Sequence, residues 1–255
     1  MARFGVMILT RLLVFSIFSL VSSTAIKHRT ASSSSSSTSP PANKLPARPL
    51  TPKYFDEPRG SLARSHYDLR FFSSEVDYQH HGSVLTGLIR SYLSVMDTHG
   101  VETWLAHGTL LGWWWNGRVM PWDYDLDVQV SNATLSWMAA RLNQTRHLVG
   151  GGEYLLDINP HFDEVDRGDG MNIIDARWID VSNGMFIDIT ALREREQGLP
   201  GVWSCKNKHR YRTRDLWPMR VSQFEGVAAR VPYNVEKMLM DEYGAQCLVV
   251  EEHEG

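Results

Sequence analysis

Asp123, Asp125 and Asp127 stand at alternate positions of Trp122-Asp123-Tyr124-Asp125-Leu126-Asp127-Val128, shortly after a His107-Gly108-Thr109-Leu110-Leu111-Gly112 turn. Read as a β-strand over 123–130, the segment projects its three carboxylates from one face and packs Tyr124, Leu126 and Val128 on the other. Three like charges along one edge repel unless a cation sits among them. Carboxylate oxygens are hard ligands that suit Mg²⁺ or Mn²⁺, and such ions commonly bridge one or two carboxylates to substrate phosphates. The spacing therefore points to metal-dependent handling of a phosphorylated or nucleotide-linked donor.

Two further features could complete such a site. Gly108-Thr109, at a helix start, would offer backbone N–H groups to a phosphate. Asp188 lies in Phe186-Ile187-Asp188-Ile189, between apolar neighbours, where a carboxylate is costly unless paired or liganded. Pairing with an arginine such as Arg177 is one reading of it. The other sets Asp188 beside Asp125 and Asp127, as a metal ligand or as the acceptor of a proton from an attacking hydroxyl. Between Leu192 and Arg220 there is no clean period, and Lys206, Lys208, His209, Arg210, Arg212 and Arg214 crowd together. That stretch reads either as a solvated basic loop or as a lid whose Lys206, Lys208 and Arg210, with Arg177, contact donor phosphates.

The elements that must position these groups follow from periodicity. Val84, Leu85, Leu88, Ile89, Tyr92, Val95 and Met96 recur at helical spacing over 82–99, and Gly100 stops the helix. A short strand over 103–106 precedes the glycine turn and a helix to about Asn116-Gly117. Asn132 is the expected N-cap of a helix reaching His147. Strands are expected over 153–158, 172–180 and 185–190, with Asn183-Gly184 as a hairpin turn, and 160–170 as a loop. A last helix spans 234–243. Helices alternating with short strands give an α/β (α+β) domain with a mixed sheet flanked by helices.

The N-terminus reads as targeting sequence. Arg3, an apolar run from Leu12 to Val21 and the small residues Ser22 to Ala25 fit a signal peptide over 1–25, with an uncleaved type II anchor as the competing reading. Residues 26–53 are a Ser/Pro-rich linker unable to bury enough surface to order itself, which leaves 54–255 as one domain. Either N-terminal reading sends the chain into the secretory lumen, ER or Golgi, membrane-anchored or secreted. The sequons at Asn132 and Asn143 suit that address. Cys205 and Cys247 form one candidate disulfide, or two buried thiols. A formal net charge of −3 gives no support to nucleic-acid binding. Nine tryptophans are many for 255 residues; such rings stack on sugars, although most tryptophans are core.

Taken together, Ala106-His107-Gly108-Thr109-Leu110-Leu111-Gly112, Asn116-Gly117 and Met120-Pro121-Trp122-Asp123-Tyr124-Asp125-Leu126-Asp127 resemble the LicD family, which includes bacterial phosphocholine transferases, fukutin and the fukutin-related protein. The resemblance implies a nucleotidyltransferase-like fold with a Gly-Ser/Thr turn, a paired-acid strand and a later acidic strand. Gly108-Thr109, Asp125 with Asp127, and Asp188 match these in order. Many members carry a carboxylate where this chain has Tyr124, so Asp125 and Asp127 are the stronger ligands and Asp123 the weaker. Lys53-Tyr54-Phe55-Asp56-Glu57-Pro58, His66-Tyr67-Asp68-Leu69-Arg70-Phe71 and the Cys205–Tyr211 stretch look like the fungal branch associated with mannosylphosphate addition to glycoproteins. The implied activity is transfer of a phosphosugar, mannose phosphate from GDP-mannose in the first instance, from a nucleotide diphosphate donor to a glycan or glycoprotein hydroxyl. A regulator or glycan-binding module assisting a partner transferase, and an Asp-x-Asp glycosyltransferase, are the alternatives.

Overall fold

A computed structural model describes residues 52–165, 170–194 and 199–250. The expected signal segment and nearly all of the linker lie outside the described residues, as does 251–255. Pro52–Val250 forms a single domain.

In chain order the elements are α1 (Tyr78–Thr98), β1 (Thr103–Leu105), α2 (His107–Asn116), β2 (Asp127–Ser131), α3 (Asn132–Arg141), β3 (Thr145–Val149), β4 (Gly152–Ile158), β5 (Ala176–Asp180) and β6 (Phe186–Glu194). After them come β7 (Val202–Ser204), β8 (Arg210–Arg212), α4 (Thr213–Leu216), the hairpin of β9 (Arg220–Phe224) and β10 (Val227–Val231), and α5 (Val235–Tyr243). The main sheet has the order β1-β2-β6-β5-β4-β3, and β7 and β8 extend the far end of β6. Among the described residues only β2 and β6 pair in parallel; the other pairs are antiparallel. The result is a mixed α/β sheet flanked by helices.

Its layers follow from the apolar pattern. Leu85, Leu88, Ile89, Tyr92 and Met96 make one buried stripe of α1, which packs on β4, β5 and β6; Gly100 ends the helix with a backbone φ of 64°. In β2, Val128 and Val130 enter the same core with Leu126. The opposite set, Asp127, Gln129 and Ser131, faces a smaller cluster built from Trp104, Leu192, Cys205, Leu216 and Met238. A third cluster, Leu155, Ile179 and Phe186, lies on the same face as the smaller one, and the polar residues of that face have few places to find partners.

Several elements depart from expectation. Strand β2 begins at Asp127, so Asp123 and Asp125 lie in the approach to the strand instead of alternating along it. Ser131, not Asn132, caps α3, its hydroxyl accepting the Thr134 N–H at 3.0 Å. That helix stops at Arg141, and 145–149 pairs with β4 as a strand. The local sequence Thr-Arg-His-Leu-Val alternates, but its apolar residues are too few to announce a strand. The basic stretch is likewise ordered into β7, β8 and α4, because Trp203 and Tyr211, directly opposite one another across β7 and β8, supply a face that packs against the distant residues of the smaller cluster. Cys205 and Cys247 are not disulfide-bonded; Cys205 belongs to the smaller core while Cys247 packs at the edge of the larger one.

Gly112 sets the approach to the acidic segment. A Cβ added there would lie 2.6 Å from the Arg118 carbonyl oxygen, with Met120 just behind. Only glycine lets the 118–123 loop fold back on α2. Gly112→Ala is expected to destabilise the protein by about 1–3 kcal/mol through overpacking, lowering Tm by about 2–4 °C per kcal/mol in a calorimetric melt. An unchanged Tm contradicts the steric account.

Candidate active site

Parallel pairing places Asp127 of β2 opposite Asp188 of β6. The backbone ties the two strands at that point: the Asp188 N–H donates to the Leu126 carbonyl at 2.9 Å. Asp123 and Asp125 approach from the preceding loop. Asp125, exposed at the rim, raises the proton affinity of both Asp127 and Asp188. The four carboxylates therefore share one site, although only Asp127 and Asp188 are held by strands.

Thr109 fixes the start of β2. Its buried hydroxyl accepts the Asp127 N–H at 2.9 Å, and the Ala106 N–H donates to the Asp127 carbonyl at 3.1 Å. The Thr109 side chain is thus committed to positioning Asp127, leaving the backbone N–H groups at the head of α2 as that turn's contribution to an anion. Gly108 brings the chain against Asp123: a Cβ there would stand 3.6 Å from Asp123 Oδ2.

The electrostatics are those of crowded, half-buried acids. Burial, reinforced by Asp125 and Asp127, pushes the Asp123 carboxyl up to about 8. Asp127 also rises to about 8, through burial and the nearby Asp125 and Asp188, against the opposing pull of His107. Burial raises Asp188 too, and Arg177 restrains it. Asp123 Oδ2 is buried without a hydrogen-bond partner. Hard oxygen donors, raised proton affinities and an orphaned carboxylate oxygen together fit a divalent cation such as Mg²⁺ or Mn²⁺.

Arg177 and Lys206 do not reach out to a ligand. Arg177 is buried, donating to Asp188 Oδ1 at 2.8 Å and to Glu57 Oε1 at 2.7 Å, its guanidinium lying between the rings of Phe55 and Phe186. It is the ion-pair partner of Asp188, and Asp188 is left with Oδ2 for the site. Lys206 turns inward to Asp175 at 3.1 Å and to the carbonyls of His161 and Asn172. This ties His161, Asn172 and Asp175 together instead of presenting a cation: Lys206 lies in the turn after β7, and these oxygens hold its ammonium inside the fold. Lys208, in the β7–β8 connection, and Arg210, the first residue of β8, are exposed. The sequons stand apart: Asn132 opens α3, and Asn143 is exposed, its Oδ1 accepting the Ile158 N–H. A cavity of about 500 Å³ at the opposite end of β2, lined by Asn132, Arg193, Glu194 and Trp203 among others, does not include the acidic cluster.

Residues 100–234, more than half of the chain, match the family model for the LicD/FKTN/FKRP nucleotidyltransferase domain. The chain belongs to the LicD family. Two proteins of Saccharomyces cerevisiae (strain ATCC 204508 / S288c) are similar to it. Mannosyltransferase regulator 4 is 32% identical over 183 residues, covering 69% of this chain and 16% of that protein. Mannosyltransferase regulator 14 is 36% identical over 162 residues, covering 59% of this chain and 17% of that protein. The chain thus spans about a sixth of the length of these relatives. The LicD match begins after α1, so Glu57 and Phe55, which hold Arg177 behind Asp188, lie outside the matched span.

Sequence reasoning missed two members of the surroundings. His107, directly before Gly108, bonds Glu242 through Nδ1 at 2.6 Å. Its position in the glycine turn was a usable signal, whereas Glu242, near the end of a polar helix, offered none. Of the nine tryptophans, only Trp122 and Trp137 are exposed; Trp122 and the exposed Tyr124 border the acidic loop.

The raised Asp127 carboxyl has a definite sign. The fold holds a proton there up to pH about 8, whereas an unfolded chain releases it near pH 4. The native state therefore binds more protons across that window, and stability falls as pH rises from about 4 to about 8. In EDTA, Asp127→Asn is expected to gain Tm relative to the wild type between pH 5 and pH 8, measured by scanning calorimetry. A difference that stays constant over this window contradicts the arrangement.

Proposed function

We propose that this chain acts in glycoprotein mannosylphosphorylation in the lumen of the secretory pathway, as a metal-dependent phosphotransferase. It would move a phosphosugar, mannose phosphate from GDP-mannose in the first instance, to a glycan hydroxyl. The observation that carries the reading is the convergence of Asp125, Asp127 and Asp188 at the parallel β2–β6 pair, beside the start of α2.

Asp125 and Asp127 would hold the Mg²⁺ or Mn²⁺, with Asp188 at its edge and Asp123 behind. The ion would neutralise the donor diphosphate and the charge growing on the departing nucleotide. Asp188 would take the proton of the acceptor hydroxyl on Oδ2. Burial makes it a stronger base than a surface aspartate, and Arg177 holds the carboxylate in one orientation by its bond to Oδ1. The head of α2 would point its N–H groups at a donor phosphate, with glycine at 108 admitting close approach. Lys208 and Arg210, both exposed, would supply the remaining positive charge. The rings of Trp122 and Tyr124 would offer apolar faces to the sugar. Entry to the lumen would come from the N-terminal segment, as a cleaved signal peptide or a type II anchor, and Asn132 and Asn143 would be glycan acceptors there.

One observation favours a second reading. Both similar yeast proteins are named mannosyltransferase regulators, so the domain could instead assist a partner transferase. An experiment with purified chain, GDP-mannose, Mn²⁺ and a mannoside acceptor separates these readings. The transferase reading predicts GMP release with a mannose-phosphate-mannose diester in the product. It also predicts that Asp127→Asn or Asp188→Asn slows release by about a hundredfold or more. No GMP release, combined with normal glycan phosphorylation in cells carrying either variant, overturns catalysis and supports the regulator. GDP release would signify transfer of the sugar without its phosphate.

A further inference from the structure

Next to the carboxylate cluster lies a second set of metal-ligating side chains of different chemistry. His107 heads α2, His209 sits in the β7–β8 turn and Glu242 lies near the end of α5. Each offers a ligand atom, and these atoms lie within 4.8 Å of one another. The two imidazole rings are 4.4 Å apart, centre to centre, and His107 Nδ1 meets Glu242 Oε1 at 2.6 Å.

We propose that His107, His209 and Glu242 bind a transition-metal ion of the zinc class, at a site separate from the Asp125, Asp127 and Asp188 cluster. Two imidazoles and one carboxylate are a donor set that suits Zn²⁺ and disfavours Mg²⁺, which takes oxygen ligands. Ligand atoms around a zinc at 2.0–2.2 Å stand about 3.4 Å apart, so the trio closes on an ion by small side-chain adjustments. Glu242 is the most exposed of the three and has the freedom to make them. The ion takes the place of the proton shared by His107 and Glu242, and that proton is released to solvent. His209 Nδ1 already faces Cys205 Sγ at 3.3 Å; this second contact orients the ring and leaves Nε2 for the metal. Water completes the coordination, as in zinc sites with three protein ligands.

Three segments far apart in sequence meet at this point. An ion here fastens the 205–209 turn and α5 onto the residue preceding Gly108, and so steadies the head of α2 beside Asp127. The site requires no donor or acceptor, and it stands whether the domain is a transferase or a regulator.

The full chain, stripped of metal and dialysed against equimolar Zn²⁺ in the presence of excess Mg²⁺, is expected to retain about one equivalent of zinc by mass spectrometry of metals. It should also gain Tm with Zn²⁺ beyond any gain with Mg²⁺, and show the visible bands of low-symmetry Co²⁺ on substitution. His209→Gln and Glu242→Gln should each weaken zinc binding roughly tenfold or more, while Asp125→Asn keeps it. If His209→Gln fails to fold, Glu242→Gln, changed at an exposed position, carries the test. Absence of zinc uptake by the wild type overturns the proposal. So does zinc binding that survives the His209 and Glu242 changes, or that Asp125→Asn abolishes.

Discussion

The structure depends on how one lateral row of charge crosses the sheet. Asp127 on β2, Asp188 on β6, Arg177 on β5 and Asp157 on β4 are successive register partners, directly opposite one another from strand to strand. Directly paired residues share a face, so the four side chains form a band of alternating obligation between two apolar cores. Three acids and one arginine do not balance. The deficit is met on the β4 side by Arg70, 2.6 Å from Asp157, and by the Tyr54 hydroxyl. On the β2 side it is met only in part, by the ion-paired His107, and the unmet demand for positive charge shows as the raised proton affinity of Asp127.

This imbalance separates structure from chemistry along the row. Asp157 accepts bonds from Tyr54, Gln144 and Arg70 and is wholly buried, a carboxylate used as a knot. Arg177 joins Asp188 to Glu57 and transmits the position of the N-terminal segment to the site. That explains why Lys53-Tyr54-Phe55-Asp56-Glu57-Pro58 matters so far from the acids in sequence. Tyr54 bonds Asp157, Phe55 covers Arg177 and Glu57 completes its ion pair. A buried arginine with two carboxylates is costly to break on one side only; the N-terminal segment is therefore part of the site's foundation.

Much of this was legible in the residues. The amphipathic period of α1, the Gly117 and Gly100 stops, the Asn183-Gly184 hairpin and the mixed sheet are local signals with local causes. The pairing of Asp188 with Arg177 was one of the two readings allowed by the cost of a carboxylate between apolar neighbours. Besides Glu242, three things were not legible. The alternation of Asp123, Asp125 and Asp127 suggested one strand, but the parallel partner that starts pairing only at Asp127 comes from a strand some sixty residues later. The short strands β3, β7 and β8 take their stability from neighbours instead of their own pattern. The inward turn of Lys206 depends on Asp175, which sequence alone does not bring near.

The central claim is that the crowded carboxyls around Asp127 form a cation site, and proton release on metal binding tests it most directly. Carboxyls raised to about 8 still hold protons at pH 7, so an ion that binds them must displace roughly one proton or more. Calorimetric titration of Mn²⁺ into Glu242→Gln, which leaves the acidic cluster intact, in buffers of different ionisation enthalpy counts those protons. The account predicts binding with that release, lost when Asp127→Asn is added. No binding, or binding without proton release, contradicts it.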